Sequence, residues 1–258
     1  MGLLSGKKAL ILGVANERSI AWGVTQALKE HGAQIALTYQ GETLKKRVEP
    51  LAELCQADFV TEVDVTSDDH IKNLASTIKE KWGNFDILVH SIAYAEKDDL
   101  HSNFSQTSRN GFKVAHDISA YSLVGLCKEL GPLIRDNGSV MAMTYYGSQK
   151  VLPGYNVMAV AKSALETSVR YLAYELGPRQ IRVNSISPGP IKTLAASGVP
   201  GLRDLFKTIE DNAPMRRNVT IEDVGGTAVY LASDLARAVT GQVIYVDSGA
   251  SMLAYMGQ

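Results

Sequence analysis

The sequence predicts an α/β protein: a doubly wound parallel sheet of about seven strands with helices on both faces, in one domain. Three observations lead there. Strand-length apolar runs alternate with helix-length amphipathic stretches about seven times. No linker, repeat or low-complexity segment separates them. The chain of 258 residues suits one large α/β domain. Right-handed crossovers between parallel strands then leave few topologies.

Residues 8–13 (Lys-Ala-Leu-Ile-Leu-Gly) are almost continuously apolar, as in a strand buried on both faces. A turn follows, then a helix to about Glu30, stopped by His31-Gly32. Residues 34–39 read as the second strand, 44–54 as a helix and 58–65 as the third strand. Ser67, followed by Asp68 and Asp69, marks the start of a helix that reaches Lys81. Residues 85–93 are the fourth strand, and 94–106 a polar, aperiodic loop. A long helix is predicted over 108–130, a strand over 138–143, a helix over 156–176 and a strand over 181–187. A short helix near 202–211 precedes one over 221–233, where Thr220 can cap an acidic first turn. Residues 243–246 are the last strand.

Composition excludes several classes. Apolar residues make up 45% and charged residues 21%, ordinary for a soluble protein. A net charge of −1 leaves no electrostatic footprint for nucleic acid. The apolar runs are too short to span a membrane. The stretch before the first strand is too short for a signal peptide, and Ser5 is one place early for a myristoylation pattern. Cys55 and Cys127 form no metal or redox spacing and read as reduced core thiols of a cytoplasmic protein. The five histidines, His90 and His116 among them, show no ligand spacing, so no metal is expected.

The chemistry concentrates between residues 144 and 162, where a strand ends and a helix begins. Ligands bind at such edges of open parallel sheets. Tyr145, Tyr155 and Lys162 converge there, with no acid expected nearby to neutralise the lysine. Tyr155 and Lys162 are two helical turns apart, about 10 Å of rise on one face, which lets them bracket a nucleotide ribose. Tyr146 is read as a structural neighbour, since successive strand residues point oppositely.

The first βα turn lacks Gly-x-Gly-x-x-Gly but offers Gly13, five residues, then Ser19-Ile20-Ala21. Gly13 can turn tightly, and Ser19 can cap a helix whose amides face a pyrophosphate. Gln40 stands where a dinucleotide fold places its ribose-binding acid. No Arg or Lys occupies 39–42, and Glu42 would repel a 2′-phosphate, so NADH is expected over NADPH.

Tyr-x6-Lys, with a second Tyr ten residues upstream and the Gly-x5-Ser-Ile-Ala turn, resembles enoyl-acyl carrier protein reductase. That family is a divergent branch of the short-chain dehydrogenase/reductase superfamily. Met158 fills the place of the ordinary superfamily tyrosine, and Tyr145 that of its serine. The resemblance runs from Gly13 to Val246–Gly249 and implies a Rossmann-type fold. It implies NADH-dependent reduction of a trans-2-enoyl thioester in fatty acid synthesis. Tyr155 would stabilise the enolate oxyanion, Lys162 hold the cofactor ribose, and Tyr145 line and orient the acyl site. Asp64 and Val65 match the adenine contact, and Ile92 would lie along the cofactor. Ile191, Lys192, Thr193, Leu194 and Ala195 match a cofactor-contacting loop, Ala95 a backbone contact to substrate, and 191–211 a lid. An acyl carrier protein partner is implied, although Pro200 and Asp204 interrupt the expected basic patch, leaving Arg203 and Lys207. A homotetramer is implied too. Helix 156–176 supports it, with few charges (Lys162, Glu166, Arg170, Glu175) and several small residues. Two other readings stay open: a short-chain carbonyl reductase, and an NAD-binding redox sensor without turnover.

Overall fold

The computed structural model describes residues 2–193 and 202–253. Its centre is one seven-stranded, all-parallel sheet: β1 (Lys8–Leu12), β2 (Gln34–Tyr39), β3 (Phe59–Glu62), β4 (Phe85–His90), β5 (Ile134–Met143), β6 (Arg182–Pro188) and β7 (Val243–Val246). The spatial order is β3-β2-β1-β4-β5-β6-β7. The order reverses between β1 and β4, whose register pairs Leu10 with Leu88 and Leu12 with His90. The crevice of a doubly wound sheet opens at the carboxyl ends of those strands.

Alternation along β1 builds both cores. Ala9 and Ile11 face one layer, with Val24 and Leu28 of α1 (Ile20–Glu30), Val48 and Leu51 of α2 (Gly41–Leu54), and, from the far end of the chain, Val224 and Leu231 of α9 (Ile221–Ala232). Leu10 and Leu12 face the other, with Ile71 and Leu74 of α3 (Asp68–Lys81), Leu123 and Leu126 of α6 (Ser122–Leu130), and Leu165 and Val169 of α7 (Asn156–Leu176). These faces explain the continuous apolar strands. The predicted caps form: Ser67 accepts from the His70 amide, and Thr220 and Asp223 make a reciprocal capping box.

The departures have local causes. The stretch 94–106 is not a plain loop. It holds the short α4 (Lys97–His101) and a 3₁₀ turn (Phe104–Gln106). Five residues carry no detectable period. Tertiary bonds hold α4 instead: buried Asp99 accepts from the Ser108 amide at 2.6 Å and hydroxyl at 3.0 Å. The helix predicted over 108–130 starts as α5 (Arg109–His116), widens into a π segment (Asp117–Tyr121) and continues as α6. β5 starts four residues early, across a register irregularity opposite β4. α2 starts at Gly41, three residues early, while β3 and β4 are shorter than predicted. α8 (Leu202–Asn212) covers the predicted short helix. Cys55 and Cys127 are free and buried.

Candidate active site

At the crevice, β1 is followed by Gly13 with φ +105, a left-handed backbone. A Cβ there would collide with the Ser91 carbonyl oxygen just past β4. The first turn therefore presses against the fourth strand. Ser19 does not cap α1, contrary to the sequence expectation. Its Oγ accepts from the Ala15 amide (3.0 Å) and Asn16 amide (2.9 Å) and donates to the Asn16 carbonyl (2.8 Å). A hydroxyl so engaged ties the turn together, and α1 starts without a side-chain cap. The Ile20 and Ala21 amides stay available to an anion, while the Trp22 amide donates to the Ser19 carbonyl at 2.9 Å.

Next along the edge, the Gln40 side chain hydrogen-bonds the Asp64 carboxylate. Burial pushes the Asp64 carboxyl up, but bonds from Thr66 and Gln40 outweigh it and hold it below the usual range. Asp64 Oδ1 accepts from the Thr66 amide (2.9 Å) and hydroxyl (2.7 Å), a local turn, while Ser67 caps the helix. Glu62 Oε1 accepts from the Gly41 amide at 3.2 Å. A carboxylate thus already occupies the first amide of α2. Val65 is buried and Ile92 packs on the core, so each offers mainly backbone to the crevice. Beyond β6, Ile191 is buried, and the Lys192 ammonium lies 5.1 Å from the centre of the Phe206 ring on α8. Both line a cavity of about 370 Å³ with Arg18 and Thr220. The Thr193 amide donates to the Ile191 carbonyl at 2.8 Å. Leu194 and Ala195 lie outside the described residues, as does the whole of 194–201 within the predicted lid.

The other half of the site is built on β5 and α7. Tyr145 leaves the strand in extended conformation, and Tyr155 is the residue before α7. Their rings meet edge to face, centres 5.1 Å apart. Gly147 makes room, since a Cβ there would lie 2.5 Å from the Tyr155 ring. Burial pushes the Tyr145 phenol up to about 12. Burial, then Tyr145 and Glu166, raise Tyr155 further. Both are neutral proton donors at ordinary pH. Lys162 is only 4% exposed, and its Nζ donates to the Met143 carbonyl at 2.7 Å. Burial lowers its pKa to about 8, against an opposing pull from Glu166. Met158 is buried, its sulfur 3.7 Å from the Ser119 hydroxyl of the π segment. Ala95 packs beside Val157 and Ala161 at the start of α7. A narrow cavity of about 20 Å³ separates Tyr145 and Tyr146 from Leu205 and Ile209 of α8. Tyr146 is structural, its hydroxyl donating to the Ser251 carbonyl at 3.1 Å.

The model of the family described as Enoyl-(Acyl carrier protein) reductase matches residues 13–251. The chain belongs to that family. It is 54% identical over 248 residues to "Enoyl-[acyl-carrier-protein] reductase [NADH] 1" of Rhizobium meliloti, covering 96% of this chain and 91% of that one. The crystal structure of the NADH enoyl-acyl carrier protein reductase of Aquifex aeolicus superposes with a TM-score of 0.95 at 50% identity, covering 98% of this chain and all of that one. The Bacillus cereus enoyl-acyl carrier protein reductase, solved with NADP+ and an indole naphthyridinone, gives 0.97 at 46% identity, covering 99% and 100%.

For a member of the enoyl-(acyl carrier protein) reductase family, the sequence reading missed three residues. The chief one is Glu166, because an acid does stand near Lys162. It is 5% exposed, and its Oε1 accepts from Thr144 Oγ1 (2.7 Å) and Ser148 Oγ (2.6 Å). Asn156 is the second. It has φ +38, and its amide nitrogen donates to the carbonyls of Leu100 (3.1 Å) and Ser102 (2.7 Å), tying α4 to Tyr155. Glycine enrichment flags such backbones, and asparagine is the commonest substitute. The third is the partner of His90. His90 is buried; its Nε2 lies 2.7 Å from the Ser122 hydroxyl, while its Nδ1 has no hydrogen-bond partner among the described residues. Burial and Lys162 push it down to about 3. Among the described residues no His, Cys, Asp and Glu cluster could hold a metal, and no helix is long and apolar enough to cross a membrane.

Proposed function

We propose that this protein is an NADH-dependent reductase of trans-2-enoyl thioesters carried on an acyl carrier protein, completing each round of fatty acid elongation. One observation carries the reading: Tyr145 and Tyr155 pack ring against ring just past β5, Lys162 Nζ reaches the Met143 carbonyl at the same strand end, and the turn before Lys162 presents only buried Met158. A carbonyl reductase of the ordinary short-chain kind needs a protic group at that turn.

The described residues suit a nicotinamide dinucleotide. Gly13 shapes a backbone cradle against Ser91, and the uncapped α1 start suits a pyrophosphate. Gln40 and Asp64 suit adenosine, and Lys162, with one proton on Met143, has donors left for ribose hydroxyls. When bound, the reduced cofactor supplies a hydride to the β-carbon. Negative charge then moves to the thioester oxygen. Tyr155 donates a hydrogen bond to that oxyanion. Lys162 adds positive charge nearby, and Tyr145 orients the acyl group through its edge contact with Tyr155. The α-carbon takes up a proton, so the product gains two hydrogens. Ala95 borders the thioester end. Leu205 and Ile209 of α8 form an apolar wall facing Tyr145 and Tyr146. Lys207 is exposed on α8 for the acidic carrier. A mass gain of two hydrogens in a trans-2-enoyl thioester incubated with NADH and the protein tests the activity.

NADH is preferred because the ribose end is acidic. Glu62 sits on the α2 amide, Asp64 is paired with Gln40, and Lys45 is drawn to Glu42. Gln40→Arg is expected to raise kcat/KM for NADPH by about tenfold, a gain of roughly 1.4 kcal/mol. No gain in steady-state assays would mean that position 40 does not face the ribose.

The assembly is a cytoplasmic homotetramer. Tyr171 and Tyr174 of α7 are 74% and 88% exposed in the single chain, large rings without cover. Light scattering is expected to give a mass near four chains; a clean monomer would contradict it.

A further inference from the structure

We propose that Glu166 is a positioning residue for this reaction: its buried carboxylate clamps both ends of the segment carrying Tyr145 and places a negative charge one helical turn from Lys162. The inference rests on the reductase reading above. Thr144 and Ser148 flank Tyr145-Tyr146-Gly147, and both hydroxyls donate to one oxygen of Glu166. The backbone closes the same clamp, since Ser163 Oγ donates to the Ser148 carbonyl at 2.7 Å. Glu166 is one helical turn beyond Lys162, and a buried carboxylate there costs desolvation unless it is bonded or paired. Here the Thr144 and Ser148 hydroxyls supply the bonds.

The groups facing this pair come from four elements. His90 of β4 is neutral, driven down by burial and by Lys162. Tyr145 and Tyr155 are neutral phenols. The Tyr245 phenol of β7 is raised by burial and by Glu166. Among the described residues, Glu166 is therefore the carboxylate whose charge acts on Lys162. Burial alone would push the Lys162 amine lower than about 8, where it would lose its proton at working pH. Lys162 works as a cation, so activity falls as pH rises through its pKa. Removing the Glu166 charge must move that fall to lower pH.

Two variants separate charge from clamp. Glu166→Gln keeps an oxygen for both hydroxyls and deletes the charge. Glu166→Asp keeps the charge and shortens the reach to Thr144 and Ser148. The experiment is the pH dependence of kcat/KM and of NADH affinity, from pH 5.5 to 9.5, on the full-length protein. For Glu166→Gln the basic limb is expected to move down by about one pH unit. NADH affinity at pH 8 falls about fivefold with it, and both recover near pH 6. For Glu166→Asp the limb stays put, while kcat falls about tenfold because the Tyr145 segment is released. A basic limb unmoved in Glu166→Gln overturns the proposal. Should that variant not fold, wild-type kcat in Glu166→Asp overturns it instead. Wild-type protein that leaves the enoyl thioester unreduced defeats the reductase reading, a result distinct from either.

Discussion

Replacing Tyr155 with phenylalanine is expected to lower kcat on a trans-2-enoyl thioester by about 10²–10³-fold, the usual loss for one oxyanion donor. The ring stays, so the edge contact with Tyr145 and the fit over Gly147 survive. Only the hydroxyl goes. Burial, with Tyr145 and Glu166 beside it, keeps that hydroxyl protonated far above working pH, so wild-type Tyr155 is always a donor. The oxyanion is absent from the ground state, so NADH affinity should stay within about twofold of wild type. Steady-state rates, with cofactor titrations by fluorescence, check both halves. Unchanged kcat would assign the oxyanion to another donor.

Lys162→Ala is the second large effect. Charged hydrogen bonds contribute about 1.5–3 kcal/mol, so losing the ribose contact should weaken NADH binding by about 10–100-fold. The alanine also empties a buried site, since Lys162 is 4% exposed. Lys162→Met restores the volume without the charge and should bind as poorly as the alanine variant. Wild-type NADH affinity in both, measured by titration, would remove Lys162 from the ribose.

Much of this was legible in the sequence for a physical reason. Strands buried on both faces, such as β1 and β2, need unbroken apolar runs, and strong caps such as Ser67 and Thr220 fix helix starts. Tyr155 and Lys162 stood out by their spacing together with the family resemblance. Glu166 did not, because it looks like any helix charge until Thr144 and Ser148 fold back onto it. Ser19 was given the wrong task because a serine before a helix usually caps it, whereas here the turn at Ala15 and Asn16 claims the hydroxyl first. The π segment and α4 are set by contacts distant in sequence, including those of Ser119 with Tyr94 and Asn156 with Leu100. No local pattern announces them.

The central claim is the reaction itself, and NADH oxidation by the purified protein tests it most directly. A trans-2-enoyl thioester is the main substrate, with a 3-ketoacyl thioester and NADPH as parallel arms. The account predicts turnover of the enoyl substrate, faster with NADH than with NADPH, and none of the ketone. Turnover of the ketone alone, or NADH bound but never oxidised with the enoyl group on its carrier protein, would contradict it.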